Sequence, residues 1–178
     1  MSSLPIDYRS MTAAEILDAL YVQIYEPPFS ELREGLRSVP EVLRIPILLI
    51  DLDTEVTISG MIGFLENSTG LYFIDTIEAL EKICAHRTAG ILRAVQKIMS
   101  DHGVTAELLR ARGFAGIQLY QITSFRETHG PELSHMADLI DREARKLYLY
   151  DAGEAVFDLL RVFLERRKDE LVAALEAC

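Results

Sequence analysis

The fold class follows from the stretch Thr12-Ala-Ala-Glu-Ile-Leu-Asp-Ala-Leu-Tyr-Val-Gln-Ile-Tyr-Glu-Pro-Pro28, which contains the signals of one amphipathic helix. Thr12 and Glu15 have the capping-box spacing, in which the hydroxyl and the carboxylate each accept a hydrogen bond from a free backbone amide. Apolar side chains then recur at helical spacing, at Ile16, Leu17, Leu20 and Ile24. Because proline interrupts a helix, we expect this one to end before Pro27.

Similar start signals follow along the chain. Ser30 is expected to cap a short helix that carries Leu32 and Leu36. A longer apolar helix is expected to begin near Pro46, because proline is best tolerated in a first helical turn. The capping spacing recurs at Asp75-Thr-Ile-Glu78, ahead of Leu80 and Ile83.

The second half of the chain has three more helical patterns. Thr88 is expected to start a helix that Gly103 closes, with an inward stripe of Ile91, Leu92, Val95, Ile98 and Met99. Gly130-Pro131 opens a run with Leu133, Met136, Ile140, Ala144 and Leu147 on one stripe. The last stripe consists of Val156, Phe157, Leu160, Phe163 and Leu164. Leu171, Val172 and Leu175 extend it.

These patterns predict an all-α fold of about eight helices around one core. No comparable stretch alternates apolar and polar residues between turn signals, so a sheet of any size is not expected. Residues 114–126 fit neither a helix nor a strand and stay unassigned. With 178 residues, of which 49% are hydrophobic and 26% charged, the chain has the composition of one globular domain covering residues 1–178.

Net charge limits the kinds of partner. The formal charge is −10, and residues 1–70, 71–130 and 131–178 contribute −7, +1 and −4. A general nucleic-acid surface needs an excess of Lys and Arg, so direct binding of nucleic acid is not expected. Arg161 and Arg166-Arg167-Lys168 form a basic cluster, but acids interleave with it as on a solvated helix end. An acidic chain attracts basic partners instead.

Cellular location is predicted from the chain start, the apolar runs and the cysteines. Met1-Ser2-Ser3-Leu4-Pro5 does not resemble a signal peptide, and the aliphatic run Ile47–Ile50 is far shorter than the ~20 residues of a membrane span. Cys84 and Cys178 match no metal or redox motif, and we expect a core thiol and a chain-end thiol. These features predict a cytoplasmic protein that does not bind membranes.

The sequence contains no recognisable catalytic or metal-binding motif. The histidines are His86, His102, His129 and His135, and no two have the i, i+4 spacing of a helical metal site. The chain has no Gly-x-Ser-x-Gly motif, and Gly60-Met-Ile-Gly63 lacks the third glycine of a phosphate-binding loop. We therefore expect no catalytic residue, no metal and no cofactor, and a protein that is not an enzyme.

The most distinctive stretch is Ser59-Gly-Met-Ile-Gly-Phe-Leu-Glu-Asn-Ser-Thr-Gly70. Its small residues, Gly60 among them, are expected to let two helices approach closely, while Phe64 and Leu65 fill the core. Asn67 and Gly70 are expected to close the helix end. The predicted role of these motif residues is structural.

This stretch resembles the DNA-mimic protein 19-like family, a bacterial domain family whose signature reads approximately Asn-Gly-Gly-Phe-x-Gln-Phe-Phe-x-Asn-Ser-x-Gly. The resemblance extends over roughly residues 12–170, through Thr76–Leu80, Ile83–Ala85, Leu139–Asp141 and the final helix from Leu160 to Glu170. The chain departs from the family at four positions, where Ile58 replaces Asn, Ser59 replaces Gly, Gly63 replaces Gln and Cys84 replaces Gly.

The resemblance implies an acidic, all-helical homodimer that presents carboxylates in place of DNA phosphates to a transcription factor. For this chain it implies a non-enzymatic inhibitor that occupies the basic surface of a DNA-binding protein. We place the partner-binding acidic patch at Asp51, Asp53, Glu55 and Glu66. The sequence leaves open an immunity-type protein that neutralises a toxin, and a helical enzyme or small-ligand-binding domain.

Overall fold

The structure is a computed structural model that describes residues 7–108, 131–151 and 153–177. Its first α-helix begins at the predicted capping box. Thr12 accepts a hydrogen bond from the Glu15 amide, and the Glu15 carboxylate accepts one from the Thr12 amide. The α-helices of the described residues are α1 Ala13–Gln23, α2 Phe29–Leu32, α3 Glu41–Glu66, α4 Phe73–Lys82, α5 His86–Asp101, α6 Pro131–Ala144, α7 Val156–Arg166 and α8 Lys168–Glu176. Shorter 3-10 turns cover Tyr8–Ser10, Arg33–Ser38 and Ser68–Tyr72. The all-α prediction is confirmed.

Helix α3 is the centre of the fold. It packs against α1, α4, α6, α8 and the turn Ser68–Tyr72. From Val42 to Leu52 almost every side chain is buried, whichever way it points, as in a helix enclosed by others. From Asp53 to Ser59 the helix emerges from the core and its side chains are half-exposed or exposed, and beyond Gly60 the side chains of Met61, Phe64 and Leu65 are buried again. None of the described helices has the length and apolar character that a bilayer span requires.

Three predicted helix starts are wrong. Helix α3 begins at Glu41 after Pro40, so Pro46 lies inside it among buried side chains. Ser30 lies within α2 and does not cap it, since the N-cap position is Pro28. Asp75 lies in the first turn of α4 and does not precede it, and its carboxylate pairs with Arg37 at 2.9 Å. Pro28 and Pro40 occupy the N-cap positions of α2 and α3, where proline's missing amide proton costs no helical hydrogen bond, and the Asp75 carboxylate is taken by Arg37.

The helices of the second half follow the predicted stripes more closely. Helix α5 begins at His86, two residues before Thr88, and is followed by Gly103 in a left-handed conformation with φ 65°. Helix α7 ends at Arg166, and its stripe continues in the separate helix α8 after Arg167. Residues 114–126, His129 and Cys178 lie outside the described residues.

The sheet that the described residues form is a two-stranded ribbon. Strands β1 Tyr150–Asp151 and β2 Glu154–Ala155 pair antiparallel, with Tyr150 opposite Ala155. The Glu154 carboxylate accepts hydrogen bonds from the backbone amides of Arg87 and Thr88 at 2.8 and 2.7 Å. The ribbon therefore supplies the cap of α5, because the first amides of a helix have no partner within it.

Cys84 is not the core thiol that we expected, because it is exposed. It has a left-handed backbone conformation with φ 66°, one residue beyond Ile83, the C-cap residue of α4. The Cys84 amide donates to the carbonyl of Glu81 at 3.0 Å and the Ala85 amide donates to that of Leu80 at 2.8 Å. These two bonds form a Schellman motif, in which the left-handed position is usually glycine.

Candidate functional site

The predicted acidic patch lies where α3 emerges from the core. Asp51, Asp53 and Glu55 alternate in sequence, but successive residues of a helix are rotated by about 100°, so residues two apart point away from each other. Asp51 and Glu55 are four apart and share a side of α3, whereas Asp53 points elsewhere. The three carboxylates therefore do not form one row.

Asp51 is a buried structural carboxylate, only 4% exposed. Arg33 donates to its two oxygens at 2.6 and 2.8 Å, and the ring of Tyr25 covers the guanidinium at 4.8 Å. Burial raises the pKa of Asp51 to about 6, against the opposing effect of Arg33. The structure places this side chain inside the protein, where it does not offer a partner a surface carboxylate.

Asp53 connects three elements of the fold. Its Oδ2 accepts hydrogen bonds from the hydroxyls of Tyr21 in α1 at 3.0 Å and Tyr150 in β1 at 2.7 Å. The Tyr150 ring stacks on Phe157, and burial raises the pKa of both tyrosines, which keeps their hydroxyls protonated as donors. Asp53 is half-buried and holds α1 and the ribbon against α3.

Glu55 and Glu66 are the half-exposed members of the predicted patch. The Asn67 side-chain amide donates to Glu55 Oε2 at 2.5 Å, so the end of α3 folds back towards its middle. Glu66 directly precedes Asn67, which is the C-cap residue of α3. Both carboxylates therefore lie at the bend that the glycine motif produces.

The bend itself is at Gly60, where φ is 70° and ψ is 179°, a conformation that is essentially restricted to glycine. No atom lies within 4 Å of the place where a Gly60 Cβ would stand, so the expected close approach of two helices does not occur here. A close backbone contact of another kind occurs at buried Gly70 in the turn Ser68–Tyr72, where a Cβ would overlap the backbone of Leu65 at the end of α3. Phe64 is fully buried and meets Phe73 edge to face.

A charge pattern that our sequence predictions missed becomes evident once α1 and α3 are seen to pack together. Residues 10–32 contain four carboxylates and residues 45–81 contain seven, and neither stretch contains Lys, Arg or His. The first stretch forms α1, α2 and their connection, and the second begins within α3. Counting uninterrupted runs without a cation would have found this signal in the sequence.

All four carboxylates of the first stretch are exposed, and Glu15 is occupied by the capping box, which leaves Asp18, Glu26 and Glu31. No ion pair of the described residues includes any of them. Arg33, the next cation along the chain, is neutralised by Asp51. We define the acidic region as Asp18, Glu26 and Glu31 together with half-buried Asp53 and Glu55.

Two members of the basic cluster, Arg161 and Arg167, are paired within the chain. Arg161 pairs with Asp158 at 2.7 Å, and Arg167 pairs with Glu41 at 2.8 Å and with Glu170 at 2.6 Å. Within residues 7–108, 131–151 and 153–177, no group of three His, Cys, Asp or Glu side chains is arranged to hold a metal ion.

Comparison with known proteins identifies a sequence family. The sequence model of a family described as DMP19-like protein matches residues 37–167, which include α3, the glycine motif and α7. No curated protein and no solved structure matches the chain significantly.

Proposed function

The chain belongs to the DMP19-like protein family, and from this membership we propose that it is a non-enzymatic acidic module that occupies the basic surface of a DNA-binding protein. The family description matches the resemblance of the glycine motif to the DNA-mimic proteins. In this function the carboxylates of the chain occupy the positions that DNA phosphates take on the partner.

The observation that carries the proposal is the packing of two cation-free stretches against each other. Tyr21 of α1 donates to Asp53 of α3 at 3.0 Å, and Tyr25, in the turn after α1, donates to Asp51 of α3 at 3.4 Å, so α1 is fixed beside α3. The negative electrostatic potentials of the solvent-facing carboxylates on both helices add together. Neither stretch contains a cation that would cancel them.

Such a surface would bind a Lys- and Arg-rich groove by charge complementarity. This kind of attraction accelerates association and weakens steeply with ionic strength, because exposed charges are screened within about 10 Å at 0.1 M salt. A basic toxin would be recognised by the same chemistry, which makes an immunity-type protein the alternative partner class.

The experiment is capture of partners from native lysate at low and high salt, followed by identification and measurement of Kd. We expect the variant Asp18→Asn, Glu26→Gln, Glu31→Gln to bind the captured protein at least about tenfold more weakly at low salt. A matched control, Asp138→Asn, Asp141→Asn, Asp169→Asn, removes three exposed carboxylates from other helices and is expected to keep most of the affinity.

Competition separates the two partner classes. If the partner is a DNA-binding protein held at its DNA site, its own duplex will displace this chain. A partner that is a toxin and is not displaced by DNA would support the immunity-type alternative. Affinity that does not change with salt, or that falls equally in both triple variants, would contradict the proposed acidic region.

A further inference from the structure

A cleft of about 410 Å³ lies between the end of α4 and the outer side of α7, away from the acidic region. Its floor is apolar and consists of Ile83, Leu159, Val162 and Phe163. Val162 is 49% exposed, which is a large exposed fraction for an apolar side chain. Covering this floor would remove apolar surface from water, which is favourable.

The rim of the same cleft is cationic. Lys82, Arg166 and Arg167 line it, and the described lining residues include no carboxylate. Lys82 and Arg167 are held from outside the cleft by Glu41, at 3.1 and 2.8 Å. Arg166 is exposed and has no ion pair or side-chain hydrogen bond with any residue that the structure describes. One cation with no partner therefore stands beside an apolar floor, in a chain of net charge −10.

We infer that this cleft binds an anionic amphiphile, a medium-chain carboxylic acid whose tail covers Val162 and Phe163 and whose carboxylate pairs with Arg166. The volume lies within the ~300–1,000 Å³ range of small-molecule sites. A single carboxylate matches the single unpaired cation. The site lies outside the acidic region and does not depend on the proposed function.

Decanoate, below its micelle-forming concentration, is the probe, and the full chain carrying Cys178→Ser is the protein. Exposed Cys84 lines the cleft and reports occupancy, because a bound tail would slow its alkylation by uncharged iodoacetamide. We expect decanoate to bind about fifteenfold more tightly than octanoate, since each of its two additional buried methylenes contributes about fourfold. Calorimetry measures both affinities.

Head-group charge is tested with decanol and decyltrimethylammonium. We expect Arg166→Gln to weaken decanoate about tenfold and to leave decanol unchanged, because only the carboxylate pairs with the guanidinium. Val162→Glu is expected to weaken both. Arg161→Gln, the same charge change on α7 outside the cleft, is the matched control and is expected to bind decanoate normally.

Several results would overturn the inference. These are equal binding of decanoate and decyltrimethylammonium, unchanged Cys84 alkylation at saturating decanoate, or unaltered decanoate affinity in Arg166→Gln. Self-association that Val162→Glu abolishes, without decanoate binding, would assign the cleft to a second copy of the chain and would equally overturn it.

Discussion

Arg33 closes over Asp51 from the 3-10 turn after α2, with Nη1 and Nη2 donating to the two carboxylate oxygens at 2.8 and 2.6 Å. Asp51 is almost completely buried and the Arg33 side chain is 22% exposed. A carboxylate expected at a partner surface is thus part of the core. The pair joins the 3-10 turn to the central helix, and its removal tests how much α3 depends on it.

Arg33→Met is expected to destabilise the protein by about 3 kcal/mol at pH 7, because it leaves a buried carboxylate without its counter-ion. Urea unfolding followed by circular dichroism measures the effect. The control is Arg93→Met, which removes an exposed arginine that pairs with Glu81 and is expected to cost less than about 1 kcal/mol. Equal costs for the two variants would contradict a structural role for the Arg33–Asp51 pair.

The pH dependence of the same pair has a defined sign. Burial raises the pKa of native Asp51 to about 6, whereas the ordinary value of the unfolded chain is 3.8. The native state therefore binds this proton more tightly, and lowering the pH from 7 to 5 adds about 1 kcal/mol of stability from this group. Asp51→Asn lacks that contribution.

We accordingly expect the free energy of unfolding of the wild type, minus that of Asp51→Asn, to increase by about 1 kcal/mol between pH 7 and pH 5. Taking the difference removes the effect of other carboxylates, such as Glu41, whose pKa Arg167 lowers. A difference that stays constant or decreases on acidification would show that the native pKa of Asp51 is not raised.

Local signals in the sequence predicted the elements that local contacts determine. The capping box at Thr12 involves residues three apart, and the stripes of α5, α6 and α7 repeat every three or four residues. Gly103 ends α5 through bonds within one turn. Such contacts can be predicted from a window of sequence because both partners lie in it.

Long-range partners account for what the sequence did not predict. Asp51 is buried with Arg33, which lies 18 residues away in sequence, and Asp53 accepts a hydrogen bond from Tyr150, which lies 97 residues away. Glu154 caps α5 by accepting from the Arg87 amide, 67 residues away. No periodicity relates these pairs, so their carboxylates looked like solvated ones. The acidic region itself depends on the packing of α1 against α3, which is also a long-range contact.

Gly60 supplies a second stability prediction. Gly60→Ala introduces no overlap, because nothing lies within 4 Å of the new Cβ, yet it is expected to cost about 1–3 kcal/mol because the backbone conformation is strained for alanine. Gly90→Ala, in the exposed middle of α5, is the control and is expected to stabilise the protein by about 1 kcal/mol. If Gly60→Ala and Gly90→Ala shifted the denaturation midpoint in the same direction, the conformational role of Gly60 would be contradicted.

Cys84 and Gly103 give a pair of opposite predictions, since each occupies the left-handed position of a Schellman motif. Cys84→Gly is expected to stabilise the protein by about 1 kcal/mol by relieving the strain of a Cβ, whereas Gly103→Ala is expected to destabilise it by a similar amount. Thermal unfolding measures both. Cys84→Ala keeps the Cβ, so a gain in this variant equal to that of Cys84→Gly would attribute the effect to the thiol and contradict the backbone explanation.

Ser59 and Gly63 are predicted to be coupled across the bend at Gly60. A Cβ on Gly63 would overlap the Ser59 Cβ, so Gly63→Gln alone is expected to destabilise the protein by about 2 kcal/mol. The related family has Gly and Gln at these two positions, and Ser59→Gly removes the overlapping atom. The double variant is therefore expected to recover most of the loss, with a coupling energy above about 1 kcal/mol in a double-mutant cycle measured by urea unfolding. Additive effects of the two changes would show that the bend relaxes independently at each position, and that the two departures from the family signature are unrelated.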